Sequence, residues 1–244
     1  MDRWLYAMFI ILTEELGGDM FDSHYLAILA DTPESRSLHY RLRYQVYCLE
    51  KQYESKDRFN DGLETDSFDR HSIHFLIRHK ASGCWVGAAR LVLGEPDQLP
   101  MARLAKFSLA GYPRAGKTFA ELSRLSILKS FRRCGKQQTV SEPEVLLGLI
   151  RAAKEYSEQA KIDYWLFLCR RSIMRIVGNL GMHMDVIGEP CEHRGVRVPY
   201  LAVLATAFDG IAQRSEAVHA MFSRKNTLIP YSRLQSGKAL ALAA

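Results

Sequence analysis

The chain has 244 residues, of which 48% are hydrophobic and 25% are charged. This composition excludes a disordered or fibrous protein and suffices for one large folded domain, with or without an appendage. The formal net charge of +6 is compatible with a nucleic acid, an anionic membrane or an acidic protein as partner, and does not choose among them.

The cysteines and the N-terminal residues indicate where the protein works. The five cysteines are odd in number, widely spaced and without a Cys-x-x-C pair, which argues against disulfides or structural zinc and predicts a cytoplasmic protein. The apolar run Trp4–Leu12 is too short to span a bilayer, and no signal-peptide cleavage site follows it. Its helical spacing favours an amphipathic helix packed on the domain over a peripheral anchor at the membrane surface.

Taken in chain order, the hydrophobic pattern predicts alternating helices and strands, which is typical of an α/β fold. The predicted elements are a helix at 35–53, a loop at 54–70, a hairpin of strands at 73–79 and 84–93, a helix at 141–160, a strand at 162–169, a helix at 170–182, strands at 184–190 and 196–205, and a helix at 208–222. The segment 196–205 could instead enter the helix after it. We expect a helical extension at 1–34, a core at 35–207, and a C-terminal helical segment with a mobile tail at 208–244.

The segment after residue 118 carries an informative pair of charges. Glu121 and Arg124 stand three residues apart in an apolar stretch, and side chains three apart on a regular strand point to opposite faces. A helix would place both on one face. A strand with a β-bulge between them would do the same, and would leave backbone N–H groups unpaired for a ligand. We favour the strand, because an unmistakable helix begins only at 141.

Another charged residue, Arg90, lies inside an apolar strand, where a guanidinium group needs a carboxylate partner. The available carboxylates are Asp66, Asp69 and Glu121. The two aspartates could instead cap backbone groups in a solvated loop. A metal site with His71 and His74 is disfavoured, because the spacing of the two histidines fits a strand poorly.

A basic turn follows the strand of Glu121, with no acidic residue between Leu122 and Ser141. Such a turn can aim N–H groups and positive charge at a phosphate or at an acidic protein. Its residues are Arg132, Arg133, Cys134, Gly135, Lys136 and Gln137.

Five ordered motifs together resemble the signature of the acyl-homoserine-lactone synthases, the N-acyl amino acid synthases and the exosortase-associated acyltransferases of PEP-CTERM systems. The motifs are Arg43-x-x-Val46-Tyr47, Glu64-x-Asp66-x-x-Asp69, Gly87-x-x-Arg90-Leu91, Pro100-Met101-x-x-Leu104 and Glu121-Leu122-Ser123-Arg124-Leu125. The resemblance covers about residues 38–190. It implies the GNAT-like acyltransferase fold, a V-shaped mixed β-sheet flanked by helices, whose bulged fourth strand binds the pantetheine arm of an acyl donor.

The departures from that signature bear on the substrates. Lactone synthases usually carry Phe and Trp, four and ten residues after the helix arginine, to help bind S-adenosylmethionine, whereas this chain has Tyr47 and Tyr53. The stretch at 194–200 looks like the PEP-CTERM-associated group. The segment 132–137 is similar to the GNAT pyrophosphate loop but departs at its last position, which weakens the case for acyl-CoA. These features favour an N-acyl amino acid synthase with acyl carrier protein as donor.

The resemblance implies a role for each candidate residue. Glu121 is the expected general base, and Arg124 or Arg43 the expected partner of the amino acid carboxylate. The substrate-binding candidates are Arg43, Tyr47, Tyr53, Asp66, Asp69, Arg90 and Arg124. The candidates for contact with pantetheine and the carrier protein are Ser126, Arg132, Arg133, Gly135 and Lys136. No metal or redox cofactor is expected, because the phosphopantetheine thioester is a co-substrate.

Three alternatives remain at this stage. The first is a lactone synthase that uses S-adenosylmethionine. The second is a basic nucleic-acid-binding module, against which no helix-turn-helix or RNP-like pattern is present. The third is a domain that docks the carrier protein without catalysis. For Glu121 itself, the alternative is an internal ion pair with Arg124 or Arg90.

Overall fold

The computed structural model describes residues 20–133 and 136–235. The helix predicted over residues 4–12 and the tail beyond residue 235 lie outside the described residues. The chain divides into two compact units. Unit one comprises Met20, Val92–Ser123 and Ser157–Lys225, and unit two comprises Phe21–Leu91, Arg124–Tyr156 and the described part of Asn226–Ala244.

The helices and strands alternate much as the hydrophobic pattern predicts. In chain order they are α1 (Met20–His24), β1 (Tyr25–Leu29), α2 (Pro33–Tyr44), β2 (Ser72–His79), β3 (Trp85–Leu93), β4 (Phe119–Ile127), β5 (Ser130–Arg133), β6 (Lys136–Thr139), α3 (Glu142–Gln159), β7 (Tyr164–Cys169), α4 (Arg171–Asn179), β8 (Asp185–Val186), β9 (Cys191–Glu192), β10 (Val196–Val203), α5 (Glu216–Ser223), β11 (Leu228–Pro230) and α6 (Tyr231–Gln235). Short 3₁₀ turns lie between several of them, and a π-helix, Gln45–Glu50, continues α2.

Helix α2 begins with a reciprocal N-terminal cap. The Thr32 hydroxyl accepts from the Ser35 N–H at 3.2 Å, the Ser35 hydroxyl accepts from the Thr32 N–H at 3.0 Å, and Pro33 opens the first turn. These contacts satisfy N–H groups that have no partner inside the helix. Arg43 lies near the other end of α2. Because the cap fixes the start of the helix, it also helps to fix the position of that arginine.

In unit two the strands follow the order β11-β1-β2-β3-β4. β11 is parallel to β1, and β1 is antiparallel to β2. Helix α3 packs closely on β3 at Gly87, where an added Cβ would lie 2.4 Å from Val145 and 3.3 Å from Ile77. β3 also carries Arg90. The close packing at Gly87 therefore holds in place the strand on which this buried arginine lies.

In unit one the strands follow the order β4-β7-β10-β8, with β9 beside β10. β4 is parallel to β7, and β7 is antiparallel to β10. The ring of Phe119 at the start of β4 stacks on Tyr164 of β7, with centroids 4.8 Å apart. The neighbouring side chains of Ala120 and Leu166 are fully buried, so the first half of β4 is a core strand.

The structure decides between the alternatives that the sequence leaves open. Residues 119–127 form a strand, as favoured over a helix, and residues 196–203 form a strand rather than the start of a helix. Strands β1 and β11 were not predicted. The sheet is mixed and flanked by helices, as expected. Within the described residues, no helix has both the length and the apolar character needed to cross a bilayer.

The prediction of one helix at 208–222 is wrong. A 3₁₀ turn occupies Asp209–Gln213, and α5 begins only after Ser215, whose hydroxyl accepts from the Val218 N–H at 3.3 Å. Gly210 lies so close to Gly181 that a Cβ on Gly181 would lie 2.2 Å from the Gly210 carbonyl oxygen. This backbone contact holds the turn in place, and the new cap starts a separate helix.

Replacing Gly87 by alanine should destabilise unit two, because the new methyl group would overlap Val145 and force α3 away from β3. We expect the free energy of unfolding in urea to fall by about 1–3 kcal/mol. Gly178→Ala is the matched control, since nothing lies within 4 Å of its added Cβ. Alanine there should be neutral or stabilising by up to about 1 kcal/mol. Equal loss in both variants would contradict the packing argument.

Candidate active site

Six charged side chains of unit two form a closed ring in which guanidinium and carboxylate groups alternate. The contacts are Arg43 Nε to Glu64 Oε2, Glu64 Oε1 to Arg124 Nε (3.2 Å), Arg124 Nη2 to Asp66 Oδ2 (2.8 Å), Asp66 Oδ1 to Arg90 Nη1 (2.6 Å), Arg90 Nη1 to Asp69 Oδ1 (2.7 Å) and Asp69 Oδ1 to Arg43 Nη1 (2.6 Å). We call these six residues the ion-pair ring. Its three positive and three negative groups make it formally neutral.

Four separate segments supply the ring. Arg43 comes from α2, the acids from the 64–69 segment, Arg90 from β3 and Arg124 from β4. The acidic segment is itself held by capping, since Asp66 Oδ1 accepts from the Phe68 N–H at 2.9 Å and Asp69 Oδ2 accepts from the Asp66 N–H at 2.7 Å. The aspartates therefore do both jobs that the sequence suggested, capping a turn and pairing with Arg90.

Burial makes the ring obligatory for the fold. The side chains of Arg43 and Arg90 are completely buried and that of Glu64 is 1% exposed. A buried charge without a partner is strongly destabilising, so each group requires its neighbours. The ring reaches solvent at Asp66 and Arg124, whose side chains are 23% and 18% exposed.

The same charges shift the pKa values of the acids. Burial alone would raise the pKa of Asp69, but Arg43 and Arg90 more than offset it and lower that pKa to about 2. The pKa of Asp66 is likewise lowered, because the contacts with Arg90 and Arg124 outweigh burial. Both aspartates are therefore ionised at neutral pH, as ion pairing requires.

Arg124 has an unusual backbone conformation for a strand residue. Its φ is +53°, in the left-handed region that residues other than glycine rarely adopt. A left-handed residue within a strand is the local departure found in one class of β-bulge, and it costs about 1–2 kcal/mol for a residue with a Cβ. The two ion pairs of Arg124, with Glu64 and Asp66, hold the residue in this conformation.

Glu121 lies in unit one, three residues before Arg124 on the same strand. Its carboxylate accepts from the Met101 N–H at 2.6 Å, and the residue is 3% exposed. Met101 belongs to the Pro100–Arg103 turn, so the predicted motifs around residues 101 and 121 meet through this hydrogen bond.

The aromatic candidates lie beside the ring in unit two. The Arg124 guanidinium lies 5.8 Å from the centroid of the Tyr47 ring, and Tyr47 and Tyr53 have centroids 6.0 Å apart. Ser126 is fully buried, and its hydroxyl donates to the Arg124 carbonyl at 3.1 Å.

The basic candidates after β4 lie on a hairpin rather than on an open turn. β5 and β6 pair antiparallel, with Arg132 opposite Gln137 and Arg133 opposite Lys136. Gly135 and the side chains of these residues lie outside what the structure describes. Contact of this set with a phosphate or a carrier protein stays a prediction.

Two buried histidines support the segments that carry the ring. His39 Nε2 donates to the Ala89 carbonyl at 3.1 Å, His74 Nε2 donates to the Asp69 carbonyl at 3.2 Å, and the two rings are 4.6 Å apart. Burial lowers the pKa of His74 to about 4 and that of His39 well below its usual value, so both are neutral near pH 7. They brace the backbone beside Asp69 and Arg90.

Glu64 is the ring member that was absent from the sequence-based set of site residues, although it opens the acidic motif. It binds Arg43 and Arg124, which otherwise share no contact within the ring. The sequence did offer a signal, because the three candidate arginines, Arg43, Arg90 and Arg124, outnumber the two candidate aspartates.

Replacing Glu64 by glutamine should break the ring at its most buried acid. We expect the free energy of unfolding in urea to fall by about 3–5 kcal/mol, because Arg43 and Arg124 each lose a charged partner. Glu50→Gln is the control, since Glu50 is exposed and accepts a long surface hydrogen bond from Gln45 at 3.5 Å, and it should change the value by less than about 0.5 kcal/mol. Similar decreases of the free energy of unfolding in the two variants would show that the ring contributes no more to stability than an exposed glutamate.

The buried histidines predict a loss of stability in mild acid. Their pKa values are lower in the folded protein than in the unfolded chain, so below about pH 6.5 the unfolded chain binds more protons. The free energy of unfolding should therefore fall as the pH drops from about 6.5 towards 4. Urea titrations across this range should show a shallower slope for His74→Gln, whose amide can still donate to the Asp69 carbonyl. Parallel slopes for both proteins would contradict this account.

Comparison with known proteins agrees with the fold and the motifs. Residues 42–140 match the acetyltransferase (GNAT) domain family. The chain is 26% identical over 155 residues to an acyl-homoserine-lactone synthase of Vibrio anguillarum, covering 63% of this chain and 76% of that protein.

Two solved structures share the fold. The acyl-homoserine-lactone synthase LasI matches with a TM-score of 0.58 at 18% identity, over 77% of this chain and 96% of that one. FeeM, an N-acyl amino acid synthase from uncultured soil microbes, matches with a TM-score of 0.53 at 16% identity, over 80% and 97%. The GNAT-like fold expected from the motifs is thus confirmed, while membership of the PEP-CTERM-associated group stays a prediction. Over residues 42–140 the chain is similar to the GNAT acetyltransferase domain, and it shares the fold of the autoinducer synthases.

Proposed function

We propose that the protein is an N-acyl amino acid synthase, which transfers a fatty acyl group from acyl carrier protein to the amine of an amino acid. The observation that carries this proposal is the solvent-facing edge of the ion-pair ring. There Asp66 and Arg124 present a carboxylate and a guanidinium 2.8 Å apart, each partly exposed. An amino acid carries the complementary pair of charges, an ammonium and a carboxylate.

The exposures favour Arg124 over Arg43 as the partner of the substrate carboxylate. Each of the two arginines binds two acids of the ring, but Arg43 is completely buried, whereas the side chain of Arg124 is 18% exposed. A guanidinium group binds a carboxylate through two parallel hydrogen bonds. Asp66 would hold the ammonium group before it loses a proton.

The proposed reaction is attack by the amine nitrogen on the thioester carbonyl carbon. A C–N bond forms, the C–S bond breaks, and the thiol of the carrier leaves, with no change of oxidation state. The amine must lose a proton, and Glu121 is the proposed base, contributing about 10²–10⁴-fold. Backbone N–H groups near the left-handed residue of β4 would stabilise the negative charge on the carbonyl oxygen.

The donor is proposed to be acyl carrier protein because the chain has a formal net charge of +6 and such carriers are acidic. The second candidate is a lactone synthase using S-adenosylmethionine, which the sequence similarity to the Vibrio anguillarum protein favours. The two differ in the acceptor, so the mass of the product distinguishes them.

The proposal is tested with purified protein and carrier protein loaded with a long-chain acyl group. An equimolar mixture of amino acids is supplied in one reaction and S-adenosylmethionine in another. We expect an N-acyl amino acid, detected by mass spectrometry, and none of the lactone. Lactone alone would establish the second candidate, and tight carrier binding without either product would leave a docking domain.

Replacing Glu121 by glutamine should lower the turnover number at least about tenfold, because the amide cannot accept the proton. Glu189→Gln, at an exposed position of unit one, should keep full activity. Circular dichroism must show both variants folded. Wild-type turnover in folded Glu121→Gln would remove Glu121 from the role of base.

A further inference from the structure

The π-helix after α2 gives Tyr47 an unexpected contact. An α-helix was predicted over residues 35–53, but the helix widens at Gln45–Glu50, and the Lys51 N–H donates to the Val46 carbonyl five residues earlier. Within this wider turn the Tyr47 hydroxyl donates to the carbonyl of Leu125, on β4, at 3.0 Å. Such π segments recur at functional sites, where they re-aim a side chain.

Two successive carbonyl groups of β4 accept hydrogen bonds from side-chain hydroxyls. The Leu125 carbonyl accepts from Tyr47 and the Arg124 carbonyl accepts from Ser126. In a regular strand these carbonyls would point to opposite sides and rely on neighbouring strands. Here the two hydroxyls bind the peptide groups on either side of Leu125, the residue that follows the left-handed Arg124, and they fix the orientation of those groups.

Arg124 is thus held from three directions. Glu64 and Asp66 bind its guanidinium, the Tyr47 ring lies 5.8 Å from it, and the Tyr47 hydroxyl anchors the next carbonyl. Only Tyr47 contacts both the backbone and the side chain of this segment among the contacts described. Phenylalanine at this position would keep the ring and lose the backbone anchor.

We propose that Tyr47 is a positioning residue for Arg124, which holds the guanidinium ready for the acceptor carboxylate through the hydrogen bond of its hydroxyl to Leu125. This inference rests on the proposed function for the identity of the acceptor. It assigns the hydroxyl a function separate from that of the ring. The aromatic ring of Tyr47 stacks on the Arg124 guanidinium. The Tyr47 hydroxyl holds the backbone that carries Arg124.

The test compares wild type with Tyr47→Phe, using steady-state kinetics and hydrogen exchange followed by mass spectrometry. Loss of the hydroxyl should raise the KM for the amino acid about 3–30-fold, as expected for one hydrogen bond left unmade. The turnover number and the KM for the acyl carrier should stay within about twofold, because Arg124 binds acceptor and transition state alike. The peptide containing residues 122–128 should exchange faster.

Tyr231→Phe is the matched control, since its hydroxyl also donates a hydrogen bond, to Glu34 at 3.1 Å on the surface of the same unit. It should leave both the kinetics and the exchange of β4 unchanged. A merely structural role for Tyr47 would lower the midpoint of urea unfolding and leave the acceptor KM of the folded protein as in wild type.

Two failures are distinguishable. If the wild type forms no amide, the proposed function fails, and the exchange of residues 122–128 still reports whether the hydroxyl holds β4. If the wild type is active and Tyr47→Phe matches it in acceptor KM and in exchange, the positioning role is overturned. Slower β4 exchange in Tyr47→Phe would overturn it as well.

Discussion

The ion-pair ring is the constraint on which the rest of unit two depends. Arg43 and Arg90 are completely buried, and burying a guanidinium group is strongly unfavourable unless carboxylates surround it. The acids must therefore lie where α2 and β3 deliver the arginines. Capping by Asp66 and Asp69 shapes the intervening turn, and two neutral histidines brace the backbone beside it. The ion-pair ring is complete only with Arg124 of β4. Arg124 therefore links the irregular point of that strand to the buried charges.

This constraint connects stability to the proposed chemistry. The ring is formally neutral, and the pair that reaches solvent, Asp66 and Arg124, is the one suited to the two charges of an amino acid. Because these groups are held by neighbours before any substrate binds, little reorganisation would accompany binding or reaction. The cost of this arrangement is that Arg124 is held at positive φ. Strained residues of this kind cluster at functional sites.

Sequence patterns predicted the elements well where periodicity or punctuation was strong, as for α3 and the β2–β3 hairpin. They also predicted that Arg90 would need a carboxylate partner among Asp66, Asp69 and Glu121, and the two aspartates are the partners found. They missed β1 and β11, because five and three residues are too few for a periodic signal and their pairing is set at long range. The π-helix was missed for a similar reason. A widened turn changes the hydrogen bonds of Gln45–Glu50 but barely changes their hydrophobic spacing.

The central claim is that the six charges act as one unit rather than as separate pairs. A double-mutant cycle between Arg43→Met and Arg124→Met tests it most directly, because these two guanidinium groups are linked through Glu64. Urea unfolding of the wild type, both single variants and the double variant gives the coupling free energy. We predict a coupling of at least about 1 kcal/mol. Additive losses, within about 0.5 kcal/mol, would contradict the account and reduce the ring to independent contacts.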